Sequence, residues 1–160
     1  MFSAESEELE SFFQQGEVFA YPTEAVFGLG CDPQNQSAVN TLLRLKQRPV
    51  EKGLILVADS WDRIAEYVDD KVLDESIKQE VLNSWPGFVT WLLPKSKYAP
   101  EWITGGSELI AIRVSAHPVI QSICRSISSP LISTSANITG TDAIKDRRKL
   151  EQVFQNKVIY

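Results

Sequence analysis

Apolar positions along this chain change their period several times, and each change marks an element. Residues 4–15 (AESEELESFFQQ) read as a helix, with acids in the first turns and Gly16 placed to stop it. Val18-Phe19-Ala20-Tyr21 is a short apolar run of strand length that ends at Pro22. Residues 37–46 carry Val39, Leu42 and Leu43 at helical spacing, and Pro49 stops that helix. Leu54-Ile55-Leu56-Val57 reads as another buried strand. Two polar helices are expected near 60–67 and 74–84, before Pro86-Gly87. Residues 88–93 and 109–114 are β-rich, with the Gly105-Gly106 turn region between them. Pro118 suits the first turn of a helix running to about Ser126. Leu131-Ile132 enters a strand followed by the polar stretch Ser133–Asn137, and Lys157–Tyr160 reads as the opening of one more strand. Strands and helices interleave throughout, which predicts an α/β fold.

Composition narrows the class. With 160 residues, 43% hydrophobic and 23% charged, the chain has ordinary globular composition. Neither a linker nor a repeat divides it, so residues 1–160 are expected to form one domain. A chain of this size buries roughly 70% of its unfolded surface, enough for one real core. The formal charge of −5 argues against a surface that grips nucleic acid everywhere, but leaves room for a local basic cleft. Cys31 and Cys124 are too few for a disulfide framework, and His117 stands alone, so no protein-built metal site is expected. The apolar runs are too short to span a bilayer and the acidic N-terminus is unlike a signal peptide. The expected setting is cytoplasmic, away from membranes.

The charge map is uneven. Residues 1–24 carry acids and no base, whereas Arg44, Lys46, Arg48 and Lys52 crowd into nine residues with Glu51 alone among them. Beyond Pro49 the backbone turns, so Lys46, Arg48 and Lys52 can converge on one loop that suits polyphosphate or carboxylate. Spacing alone fits a solvated helix end, where bases complement the helix dipole. Ser133, Thr134, Ser135 and Asn137 follow a predicted strand, where open α/β sheets bind ligands, although turn chemistry and capping use the same residues. Tyr21–Cys31 (YPTEAVFGLGC) also follows a strand; Thr23 offers a hydroxyl there, while Gly28 and Gly30 fit either a tight turn or a close backbone approach. His117 suits a cap or the surface, the two cysteines and four tryptophans suit packing, and Arg147-Arg148-Lys149 a solvated helix face.

Taken together, these segments resemble the YrdC/TsaC family of threonylcarbamoyl-AMP synthases. The matching residues are Tyr21-Pro22-Thr23-Glu24 with Gly28-Leu29-Gly30, and Leu45-Lys46-Gln47-Arg48-Pro49 with Lys52-Gly53-Leu54. Trp85-Pro86-Gly87, Arg113-Val114 with His117-Pro118, and Ser133-Thr134-Ser135-Ala136-Asn137 follow in order. The resemblance implies a twisted mixed β-sheet flanked by helices around a large, positively lined concave cleft. It implies that L-threonine, bicarbonate or CO₂, and ATP are joined into threonylcarbamoyl-AMP with release of pyrophosphate. Mg²⁺ would travel on the ATP phosphates. The product would pass to downstream proteins that place threonylcarbamoyl on adenosine 37 of tRNAs reading codons that begin with A. The family's Lys-Arg-Ser-Asn tetrad falls on Lys46, Arg48, Ser135 and Asn137. Thr23, Lys52, Arg113 and Ser133 are the further expected ATP and threonine contacts. Family members usually continue past residue 160, so the resemblance also implies a shortened C-terminus with a partly open cleft or sheet edge. Two rivals accompany this reading. One is an RNA-binding module that uses the same basic cleft on tRNA or ribosomal RNA; the other is a YrdC-like part of a carbamoyl-transfer protein for hydrogenase maturation.

Overall fold

The computed structural model describes residues 7–159, in which strands and helices alternate. In chain order they are α1 (Glu7–Gln14), β1 (Phe19–Pro22), β2 (Phe27–Cys31), α2 (Gln36–Lys46), β3 (Ile55–Ala58) and α3 (Glu75–Asn83). Then come β4 (Trp91–Pro94), α4 (Glu101–Thr104), β5 (Leu109–Val114), α5 (Pro118–Ile127), β6 (Leu131–Ser135) and α6 (Arg147–Phe154). The strands form one mixed sheet in the order β1-β2-β6-β3-β5-β4, with β3 and β5 parallel and the other pairs antiparallel. The expected α/β class and mixed sheet are therefore found. Residues 4–6 of the first expected helix and Tyr160 of the last expected strand lie outside the described residues.

Alternation along each strand divides the core in two. Leu29, Cys31, Leu56, Ala58, Ile110, Ile112 and Ile132 pack with Val39 and Leu42 of α2 and with Leu150 and Phe154 of α6. On the opposite face Phe19, Tyr21, Val57 and Leu131 pack with Leu9 and Phe13 of α1 and Ile120, Ile123 and Cys124 of α5. Beyond α5 this second face is less covered. Ile55 and Ala111 are half-buried, Ser135 is exposed, and Leu92 and Leu109 remain 64% and 40% exposed.

Three local expectations are corrected and one open alternative is resolved. Residues 60–67 do not form an α-helix; i→i+3 bonds such as Ile64 N to Trp61 O and Tyr67 N to Ile64 O wind them into tight turns. Trp61, Ile64 and Tyr67 recur every third residue, the period of a 3₁₀ turn, so each turn brings one of them to the core. The glycine-bearing segment after Tyr21 contains strand β2: Phe27, Leu29 and Cys31 face one side while Gly28 and Gly30 face the other. Its glycines therefore serve close packing and not a turn. β6 runs on through Ser133-Thr134-Ser135, so this polar stretch is strand and not the loop after it. Residues 88–90 stay outside β4, and the short helix α4 fills the segment before Gly105-Gly106. At the end of the chain Ile159 makes one parallel bridge to Phe19, and its carbonyl accepts from Ala20 N at 2.7 Å.

Candidate functional site

Lys46 owes its direction to the way α2 begins and ends. Asn35 caps the N-terminus by accepting from Ala38 N at 3.1 Å. At the other end Gln47 adopts a left-handed conformation (φ 49°), Gln47 N donates to Arg44 O and Arg48 N donates to Leu43 O. These paired bonds form a Schellman motif. It reverses the chain so that Lys46, the last helical residue, turns inward and is only 2% exposed. The Lys46 carbonyl is capped in turn by Thr139 N at 2.8 Å.

The Lys46 ammonium is fully occupied. It donates to the Ser135 carbonyl, to the Asn137 carbonyl at 3.0 Å and to Asn137 Oδ1 at 3.1 Å. An ammonium has three protons, so all are spent on this turn. Ser135 Oγ donates to the same Oδ1 at 2.7 Å, while Asn137 Nδ2 donates to the Thr141 and Ile138 carbonyls at 2.7 and 3.1 Å. Two segments nearly ninety residues apart in sequence thus form one hydrogen-bonded unit. Burial, followed by the nearby Arg48 charge, lowers the Lys46 pKa from 10.5 to about 8.

Arg48 lies beside this unit. Its guanidinium donates through Nε and Nη2 to the Gly53 carbonyl at 3.1 and 2.9 Å, and through Nη2 to the Lys52 carbonyl at 3.2 Å. It therefore clamps the 3₁₀ turn Val50–Lys52 that leads into β3. The Lys52 residue is exposed. Arg113, at the C-terminal end of β5, is half-buried, and its Nε has no partner among the described residues. None of Lys46, Arg48, Lys52 and Arg113 pairs with a carboxylate among the described residues, although Arg63, Lys78, Lys95 and Arg147 do.

Thr23 closes the connection between β1 and β2, donating from Oγ1 to the Val26 carbonyl at 2.6 Å. Ser133 sits in mid-sheet, opposite Gly30 on one side and Ile55 on the other. It is buried and accepts a hydrogen bond from the Tyr21 hydroxyl at 2.7 Å. Burial raises the Tyr21 pKa far above the ordinary phenol value, so the hydroxyl stays protonated. Sequence reasoning quoted Tyr21 as part of a motif but gave it no role. The usable signal was an aromatic residue on one strand facing two glycines, two positions apart, on the next. His117 begins α5 without a side-chain cap, and its Nδ1 is unpartnered among the described residues.

The geometry thus gathers Lys46, Ser135 and Asn137 directly, with Arg48 adjacent through the same loop. Ser133 lies two residues before Ser135 on β6, Thr23 lies in the connection between β1 and β2, and the Arg113 charge acts on the Tyr21 hydroxyl. Among the described residues no group of three or more His, Cys, Asp or Glu could hold a metal ion, and no helix is long and apolar enough to cross a membrane.

Comparison with known proteins adds to this picture. The profile of the Sua5/YciO/YrdC family, described as telomere recombination, matches residues 11–160. The threonylcarbamoyl-AMP synthase of Pseudoalteromonas atlantica is 56% identical over 144 residues, which cover 90% of this chain and 77% of that one. The enzyme of the same name from Yersinia enterocolitica is 50% identical over 140 residues, covering 88% and 72%. Among solved structures, P. abyssi Sua5 complexed with L-threonine superposes with a TM-score of 0.84 at 30% identity. That match covers 93% of this chain but 43% of the longer Sua5 chain.

Proposed function

The chain belongs to the Sua5/YciO/YrdC family, and we propose that it is a threonylcarbamoyl-AMP synthase that uses Lys46, Arg48, Ser135 and Asn137 as its central residues. The observation that carries this reading is the single hydrogen-bonded unit made from Lys46, Ser135 and Asn137, with the Arg48 charge beside it and no carboxylate paired to either cation among the described residues. The reaction asks little covalent chemistry of the protein. The threonine amine adds to CO₂, giving a carbamate and releasing a proton. A carbamate oxygen then attacks the α-phosphorus of ATP, and pyrophosphate departs with the electrons of the broken P–O bond. Two anions must be brought into line, so alignment and positive potential supply the catalysis.

Lys46, Arg48 and the exposed Lys52 provide that potential along the triphosphate. Ser135 and Asn137, whose protons are spent within the turn, offer oxygen acceptors to the ribose hydroxyls of the nucleotide. Arg113, Ser133 and Thr23 receive the threonyl part on the open face of the sheet. Mg²⁺ enters with the ATP phosphates as part of the substrate and offsets the repulsion between the two anions. The product is handed on to proteins that transfer threonylcarbamoyl to adenosine 37 of tRNA, a reaction placed in the cytoplasm with its ATP and tRNA. Residues 1–160 act in this as one YrdC-like domain.

The test is to incubate the protein with ATP, Mg²⁺, labelled bicarbonate and single amino acids. A labelled adenylate and pyrophosphate that appear with threonine alone support the proposal. Nucleotide binding without threonine-dependent pyrophosphate release refutes it, as does salt-sensitive RNA binding with no affinity for ATP.

A further inference from the structure

The geometry points to Tyr21 as a positioning residue that makes Ser133 a hydrogen-bond donor to an oxygen of the amino-acid substrate. This rests on the synthase reading above and adds a residue to it. Tyr21 stands on edge strand β1, directly opposite Gly28. Its ring lies across β2. A methyl built on Gly28 would meet the ring at 3.0 Å, and one built on Gly30 would meet its other edge at 3.0 Å. Only a strand with two side-chain-free positions lets the ring cross it. The hydroxyl therefore lands not on β2 but on β6, at Ser133 Oγ.

The consequence concerns protons. Tyr21 is 3% exposed, and its hydroxyl proton goes to Ser133. A serine hydroxyl has one proton and two acceptor sites. With one acceptor site taken by Tyr21, the proton of Ser133 is left over, and no described residue accepts it. Arg113, on the same face of the sheet, likewise has an Nε–H without an acceptor. Buried donors without acceptors are rare, and a ligand oxygen is one way to satisfy them. On this face that ligand group is anionic: the carboxylate or the nascent carbamate of threonine. Without Tyr21, the Ser133 hydroxyl is free to rotate, and its preference for donating is lost.

The experiment compares wild type, Tyr21→Phe, Ser133→Ala and the double variant. Threonine-dependent pyrophosphate release is followed against threonine and against ATP, and threonine binding is measured by calorimetry without ATP. Loss of one hydrogen bond of about 1 kcal/mol corresponds to roughly a fivefold change in affinity. Tyr21→Phe is expected to raise the threonine KM and Kd about fivefold, with kcat and the ATP KM within twofold of wild type. In the Ser133→Ala background it should add nothing. A threonine KM unchanged in a Tyr21→Phe protein that melts like wild type overturns the inference. So does a double variant whose loss is the product of the two single losses, and so does a wild type that does not bind threonine. Threonine that binds Tyr21→Phe less tightly than wild type, with no adenylate made by wild type, leaves Tyr21's role standing and removes the synthase reading.

Discussion

Replacing Lys46 by Met keeps the length of the side chain and removes its charge, which isolates what a buried cation does to stability. In the folded protein the Lys46 pKa is lowered from 10.5 to about 8, first by burial and then by Arg48. Below pH 8 both folded and unfolded chains carry the proton, and the folded state bears the full penalty. Between pH 8 and 10.5 the unfolded chain still binds the proton while the folded one has lost it, so stability rises with pH over that window. At 1.36 kcal/mol per unit, the whole shift is worth about 3 kcal/mol, of which about 2 kcal/mol is recovered between pH 8 and 9.5. Burial raises the pKa of Cys31 and Tyr21 and pushes Cys124 up to about 12, which tilts stability the other way at alkaline pH. Those groups are present in both proteins and cancel in the difference. Urea unfolding of wild type and Lys46→Met at pH 7.0 and 9.5 should show wild type gaining about 2 kcal/mol on the variant. Parallel curves would mean that the ammonium is as well solvated in the folded state as in the unfolded one, and the argument for a strained, buried cation would fail.

Three further outcomes follow from individual contacts. Asn35→Ala removes the cap of α2, and differential scanning calorimetry should register about 1 kcal/mol lost, or about 2–4 °C in Tm. Gly30→Ala would place a methyl 2.9 Å from the Ile132 carbonyl and 3.0 Å from both Leu131 Cδ1 and the Tyr21 ring. Chemical denaturation should show a loss of about 1–3 kcal/mol. Arg48→Lys keeps the charge but cannot make the Nε and Nη2 contacts to Gly53 together. Pyrophosphate release should fall about tenfold while unfolding free energy changes by no more than about 1 kcal/mol.

Much of this architecture was legible in the sequence because the signals were local. Val39, Leu42 and Leu43 at helical spacing gave α2, Pro118 gave the start of α5, and the Leu54–Val57 run gave β3 to within one residue. The failures came where the deciding contact lay far along the chain, or where a period of three was read as a helical one. For Gly28 and Gly30 a tight turn and a close backbone approach stayed equally open, because the ring that requires them is on another strand. Residues 60–67 carry enough polar positions to suggest an α-helix, yet the spacing of Trp61, Ile64 and Tyr67 fits a turn of three residues. Of the candidate site, the residue types were visible but not their partners. Nothing in the run Leu45–Pro49 says that Lys46 points into the protein, because that direction depends on the left-handed Gln47 and on oxygens of Ser135 and Asn137.

These partners also divide the labour among the polar residues. Lys46 spends all its protons, and Arg48 three of its contacts, on oxygens of the protein itself. On the proposed reading these contacts hold both charges in place as a fixed positive field, the form of electrostatic stabilisation that costs no reorganisation during the reaction. Arg113 Nε and the Ser133 proton are the reverse: donors on the sheet face whose acceptors the described residues do not supply. Unspent donors recognise a ligand, because binding is what satisfies them. On the proposed reading, changes at Lys46 and Arg48 should therefore act on the field felt by the transition state, and so on kcat. Changes at Arg113, Ser133 and Tyr21 act on substrate held in the ground state as well, and so on KM. The separation follows from one count, the protons each side chain has left after the protein has used its own.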